Sequence, residues 1–148
     1  MKSFITKHYE ETITLGKRLI HAMPPSLHVV LLEGDLSAGK TTFTKGIGKA
    51  LNVKSMVNSP TFTILKIHHG DKTLYHLDLY RLNEVGNDFD LEEYIEDRDA
   101  ITVIEWPHQV EGLLPKSYVL VKFTYLSDHE RKIEISSTLD DASWEDNI

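Results

Sequence analysis

The sequence predicts an α/β fold in which helices pack on a mixed β-sheet of about seven strands. Three observations lead there. A short β-branched run, "HVVLLE", is followed directly by a glycine loop and then by an amphipathic segment, "KTTFTKGIGKALN". Three further runs, "FTILKIH", "LYHLDLY" and "ITVIE", have the length and composition of strands. Near the end, "SYVLVKFTYL" and "RKIEISS" flank "SDHE" in the manner of an antiparallel hairpin. Together they call for a parallel core with antiparallel additions.

Taken in order, "EETITLGKRLIHAM" sets Ile13, Leu19, Ile20 and Met23 near one side of a 3.6-residue period, predicting a helix that ends before Pro24 and Pro25. "HVVLLE" predicts a buried strand. The next segment spaces Phe43, Ile47, Ala50 and Leu51 for a helix, with Asn52 able to end it. The turn-like "HGDK" separates the first two of the three strand runs. Between the second and third lies "NEVGNDFDLEEYIEDRD", read as a polar loop and a short helix with Leu91, Tyr94 and Ile95 inward.

At 148 residues the chain is the size of one ordinary domain, placed at 1–137, with 138–148 as an acidic tail. That tail, "LDDASWEDNI", carries Asp140, Asp141, Glu145 and Asp146 with little apolar content, which predicts a solvated segment. Hydrophobic residues make up 41% and charged residues 26%, the balance of a folded globular chain. Cysteine is absent, which excludes disulfides and cysteine nucleophiles and suits a reducing compartment. The opening "MKSFITKHYEET" lacks the apolar core of a signal peptide, and no run approaches the roughly 18 apolar residues of a membrane span. The expected location is the cytoplasm. With 23 acidic against 16 basic side chains the formal charge is −7, which disfavours attraction to a phosphate backbone. No DNA or membrane contact is expected.

The glycine loop "GDLSAGKTT" matches GxxxxGK followed by Thr through Gly34, Gly39, Lys40 and Thr41, with a predicted strand before it and a predicted helix after it. Glycines let successive backbone N–H groups turn inward around phosphate oxygens, and the helix adds its positive N-terminal end. The cradle comprises Gly34, Asp35, Leu36, Ser37, Ala38, Gly39, Lys40, Thr41 and Thr42. Lys40 brings a mobile positive charge to the β and γ phosphates, and Thr41 a hydroxyl for magnesium. A plain turn would not call for a cation at a helix start, where it opposes the dipole. The fold is therefore expected to be P-loop NTPase-like.

Turnover also requires a carboxylate near magnesium and a group that orients the attacking water. Asp78 lies within a strand in "HLDLYR", and Glu105 closes "ITVIE" where the chain leaves the sheet. Ligand groups in open α/β sheets gather at the carboxyl ends of strands, which favours Glu105. Sequence leaves open which of the two meets the metal; Asp78 also suits the outward face of an alternating strand. In "SPTF", Ser59, Pro60 and Thr61 suit a nucleotide-sensing switch or a turn entering a strand. His68, His69 and His76 lie on adjacent predicted strands without the spacing typical of zinc ligands.

Together, "GDLSAGKTTFTKG", "SPTFTIL", "HLDLYRL" and "VIEWP", in this order and spacing, resemble the bacterial TsaE family, also called YjeE or YdiB. The likeness runs from the first helix to the last strand. It implies an ATPase that uses ATP/ADP and Mg2+, is slow alone, and is needed to make threonylcarbamoyladenosine at position 37 of tRNA. In that family the protein does not transfer the threonylcarbamoyl group. It binds the TsaB and TsaD pair, resets that complex through its ATP cycle, and meets tRNA only through it. The resemblance assigns Thr41 and Glu105 to magnesium, Lys40, Asp78 and Glu105 to catalysis, Thr61 to a switch, and makes Trp106 a functional aromatic beside the site. It points for the adenine to Thr6 through Glu11 and Arg131. Ser37 departs from the usual glycine, and if the position needs φ > 0 the serine costs about 1 kcal/mol.

Two other readings use the same loop. A GTPase or nucleotide kinase would need a guanine-reading NKxD or more arginines than Arg18, Arg81, Arg98 and Arg131. A nucleotide-gated scaffold would bind ATP without significant hydrolysis, against which the acidic pair Asp78 and Glu105 argues.

Overall fold

The computed structural model describes residues 1–35, 38–55, 57, 64–80 and 91–148, with the side chains of 109–111 left aside. Strand β1 (Lys2–Thr6) leads into helix α1 (Tyr9–Ala22), strand β2 (Val29–Glu33) and helix α2 (Lys40–Ala50). Then come β3 (Leu65–His68), β4 (Thr73–Asp78), the short helix α3 (Glu92–Ile95) and β5 (Ala100–Glu105). A 3-10 segment (Pro107–Leu113), the hairpin β6 (Val119–Tyr125) and β7 (Arg131–Ser137), and a second 3-10 segment (Ser143–Asn147) complete the order. No described helix is long and apolar enough to cross a membrane.

The seven strands form one sheet in the order β1-β7-β6-β2-β5-β4-β3. Strands β6, β2, β5 and β4 are parallel, and β7, β1 and β3 add on antiparallel; the mixed sheet is the predicted one, without a prediction of which strands take which direction. β2 and β5 are buried on successive residues because both faces are covered, the usual demand on central parallel strands. One face packs on α1 and α2 through Val30, Leu32, Phe43, Ile47, Leu74 and Val103. The other buries Val29, Leu31, Leu77, Ile95 and Ile104. Phe43 is fully buried and meets the Phe123 ring edge-on at 5.4 Å, a pairing worth about 1 kcal/mol beyond the area it removes from water.

α1 and α2 touch backbone to backbone. A Cβ at Gly16 would overlap the carbonyl oxygen of Phe43, and one at Gly46 the carbonyl oxygen of Ile13. The predicted face of α1 is borne out in part, since Leu19 is in the core and Ile20 and Met23 pack against it. The buried stripe is Thr12, Leu15, Gly16 and Leu19, while Ile13 and Ile20 are half-buried at its flanks. Gly16, which apolar periodicity passes over, belongs to the stripe because the two helices touch there. α2 ends as predicted, with Asn52 in the left-handed region at φ 56°.

The N-terminal strand had no counterpart among the predicted runs. Five residues of half-exposed edge strand leave little pattern, and β1 is fixed by its ladder with β7. The expectation of a solvated tail is also corrected. Trp144 and Ile148 join the main core, the Trp144 indole N–H donates to Ser137 Oγ at 3.2 Å, and buried Glu145 pairs with the Met1 ammonium at 3.1 Å. Two apolar anchors four residues apart outweigh the acidic composition.

Candidate nucleotide site

β2 delivers the chain to Gly34 at its carboxyl end, and α2 begins at Lys40. Gly34 has φ 155° and Gly39 has φ 102°, both in the region that favours glycine. At Gly34 a side chain would also come within 2.9 Å of the Phe123 carbonyl oxygen, so the position is sterically closed. Gly39 caps α2, the Phe43 N–H donates back to its carbonyl at 2.9 Å, and the Ala38 N–H donates to the Asp35 carbonyl at 3.1 Å. Thr41 and Thr42 are half-buried in the first turn, at the positive end of an eleven-residue helix. The predicted cradle residues Leu36 and Ser37, and the predicted switch residues Ser59, Pro60 and Thr61, lie outside the described residues.

Lys40 is buried, folded back so that its Nζ donates to the Gly34 carbonyl at 2.7 Å and sits 3.9 Å from the centre of the Trp106 ring. Burial pulls its pKa below the ordinary lysine value; the carboxylates of Glu105, Asp78 and Asp35 oppose that pull. The two acids seen in the sequence close adjacent parallel strands. Asp78 at the end of β4 is the register partner of Glu105 at the end of β5. Both therefore point to the α2 face of the sheet, as does Leu74 four residues before Asp78. Asp78 Oδ1 accepts the Tyr80 N–H at 3.1 Å, and the Leu79 N–H donates to the Glu105 carbonyl at 3.1 Å, tying the two strand ends together.

Glu105 is buried, and its Oε2 is 2.5 Å from Nε2 of the fully buried His76. That partnership was missed in the sequence, where His76 drew attention only as a zinc candidate. The signal was present: strand alternation puts His76 on the same face as Asp78 two residues later. Among the described residues, no group of three or more His, Cys, Asp or Glu is arranged to hold a metal ion alone.

Trp106 follows Glu105 directly with φ 61°, an uncommon conformation for a bulky residue, and its ring lies 5.0 Å from that of Tyr80 and 6.0 Å from that of His108. Beside Gly39, the residues Tyr9, Thr12, Thr42, Asp128, His129 and Arg131 complete the lining of a cleft of about 80 Å³. The structure thus brings part of the N-terminal segment and Arg131 to the same side of Gly39. Arg131 donates from Nη1 to the carbonyls of Ser127 and Glu130 at 2.6 and 2.9 Å, which fixes it across the β6–β7 turn.

A family model described as "Threonylcarbamoyl adenosine biosynthesis protein TsaE" matches residues 6–133. This chain belongs to the TsaE family. A TsaE protein of Bacillus subtilis is 40% identical over 133 residues, 89% of this chain and 83% of the relative. One from Aquifex aeolicus is 36% identical over 138 residues, 91% of this chain and 96% of the relative. The Treponema pallidum TsaE is 40% identical over 110 residues, covering 73% and 81%. All three carry the name tRNA threonylcarbamoyladenosine biosynthesis protein TsaE. The crystal structure of Bacillus subtilis YdiB superposes with a TM-score of 0.80 at 33% identity, over 99% of this chain and 90% of that one. The mixed seven-stranded α/β sheet is thus the TsaE architecture in this chain.

Proposed function

We propose that this TsaE-family protein binds and hydrolyses Mg-ATP, and that the hydrolysis supports repeated rounds of threonylcarbamoyladenosine formation in tRNA by a TsaB–TsaD complex. One observation carries the reading: Lys40 at the start of α2 lies within the field of Asp78 and Glu105 at the ends of β4 and β5. A phosphate cradle, a cation and two carboxylates at one point are what phosphoryl transfer to water requires. The donors beside the cradle are hard oxygens, the Thr41 hydroxyl and the Glu105 carboxylate with Asp78 next to it, and this set suits Mg2+. When bound, the ion would neutralise charge on the phosphates.

In this reading Gly34 to Thr42 hold the phosphates and Lys40 leaves the Gly34 carbonyl to meet them. Thr41 and Glu105 serve the metal, and Asp78 prepares the water. Ser59, Pro60 and Thr61 sense the γ-phosphate, and Trp106 covers the lysine. The cleft beside Gly39, with Tyr9 and Arg131, takes the base. The net charge of −7 favours reaching tRNA through a protein partner over binding it directly.

The test has two arms. Nucleotide binding and hydrolysis are measured for the wild type, Lys40→Ala and Glu105→Ala. Lys40→Ala should weaken binding, whereas Glu105→Ala should bind nucleotide and lose turnover. Modification of tRNA is then followed with TsaB, TsaD and the enzyme that makes the adenylate donor. Sustained modification only with the wild-type chain supports the proposal; equal modification without this chain removes it, and full activity with hydrolysis-dead Glu105→Ala identifies a nucleotide-gated scaffold.

A further inference from the structure

A buried carboxylate at a strand end has three rotatable bonds and gains nothing from solvent to fix its direction. Glu105 is 3% exposed, and among the described residues one side chain, that of His76, hydrogen-bonds it. His76 is 0% exposed and rises from the neighbouring strand opposite Val103, two residues short of Glu105. An ionised carboxylate only accepts hydrogen bonds, so Nε2 of His76 carries the proton that lies between them. The other ring nitrogen, Nδ1, is buried and has no hydrogen-bond partner among the described residues. An imidazole serving only to fill the core would leave both nitrogens costly; here one nitrogen is committed to Glu105, and the other finds no partner among the described residues. An apolar side chain would fill the same space without that penalty, so the contact with Glu105 is what accounts for a histidine at this place.

Resting on the assignment of Glu105 to the Mg-ATP site, we propose that His76 is a positioning residue for Glu105. Its Nε2–H holds Oε2 and leaves the carboxylate to meet its ligand through Oε1. The rigid ring and the strand-to-strand register set the direction of a side chain that would otherwise sample several rotamers. His76 touches neither nucleotide nor metal and acts only through Glu105.

The geometry suggests a matched pair of variants. His76→Gln can set an amide N–H where Nε2 stands, whereas His76→Asn sets it where Nδ1 stands. Mn2+ binding to the protein–ADP complex is followed by electron paramagnetic resonance, and kcat and KM for ATP are measured alongside, with Glu105→Ala and the double variant Glu105→Ala/His76→Asn as controls. The expected result is that His76→Asn weakens Mn2+ binding and lowers kcat by about ten-fold or more, with KM for ATP nearly unchanged, while His76→Gln recovers most of both. In the Glu105→Ala background, His76→Asn should add no further loss. Equal behaviour of the Asn and Gln variants, or losses that multiply in the double variant, would overturn the proposal while leaving the role of Glu105 intact. An unchanged Mn2+ affinity and kcat in Glu105→Ala itself would instead remove the site assignment, and this proposal with it.

Discussion

The ammonium of Lys40 is held between the Gly34 carbonyl, 2.7 Å away, and the face of the Trp106 ring, 3.9 Å from its centre. Both contacts are made by groups that flank the glycine loop, one on the loop after β2 and one just past β5. A cation–π contact of this kind contributes about 1–2 kcal/mol when desolvated. It holds the lysine beside the cradle and compensates in part for burial.

Lys40 makes stability depend on pH in a defined direction. Its pKa is lowered chiefly by burial, so between that lowered value and the ordinary lysine value of 10.5 the unfolded chain binds the extra proton. The wild type should therefore gain stability relative to Lys40→Met as pH rises through this window, and the contribution should be constant below it. Urea unfolding of both proteins from neutral pH to pH 10.5 reads the difference directly.

The crossing of α1 and α2 should tolerate no side chain at its centre. Gly46→Ala should cost about 3 kcal/mol or more, because the backbone of α1 must move to accept a methyl group where the Ile13 carbonyl stands. Gly112→Ala, where an added Cβ meets nothing within 4 Å, serves as the neutral comparison. Urea midpoints at pH 7 measure both, and equal midpoints would contradict the packing described.

The C-terminal segment should behave as part of the core. Trp144→Ala is expected to lower stability by about 3 kcal/mol through lost burial. Ser137→Ala should lower it by about 1 kcal/mol, since Ser137 Oγ accepts both the indole N–H and the Leu139 N–H. Thermal unfolding with two probes, tryptophan emission and far-ultraviolet circular dichroism, checks that the loss is global.

What was legible in the chain follows from how local each signal is. The passage from β2 through Gly34 and Gly39 into α2 is written in consecutive residues, since the period changes from strand to helix across a loop whose glycines have positive φ. The β6–β7 hairpin is local too. The strand order was not legible: β2 sits between β5 and β6, partners that begin 71 and 90 residues after it begins, and no local pattern encodes that choice. For the same reason Asp78 and Glu105 could be named but not set side by side. His76 was hidden because its partner lies on another strand, 29 residues on. The tail misled because charge dominates its composition, whereas two side chains, Trp144 and Ile148, decide its position.

The interlocked glycines of α1 and α2 have a mechanical consequence. Where their backbones touch, no side chain separates the two helices, so a shift of one bears directly on the other. Exposed Tyr9 begins α1 and Gly39 precedes α2, and both line one cleft. A displacement of α1 at that cleft should therefore reach the loop that ends at Gly39.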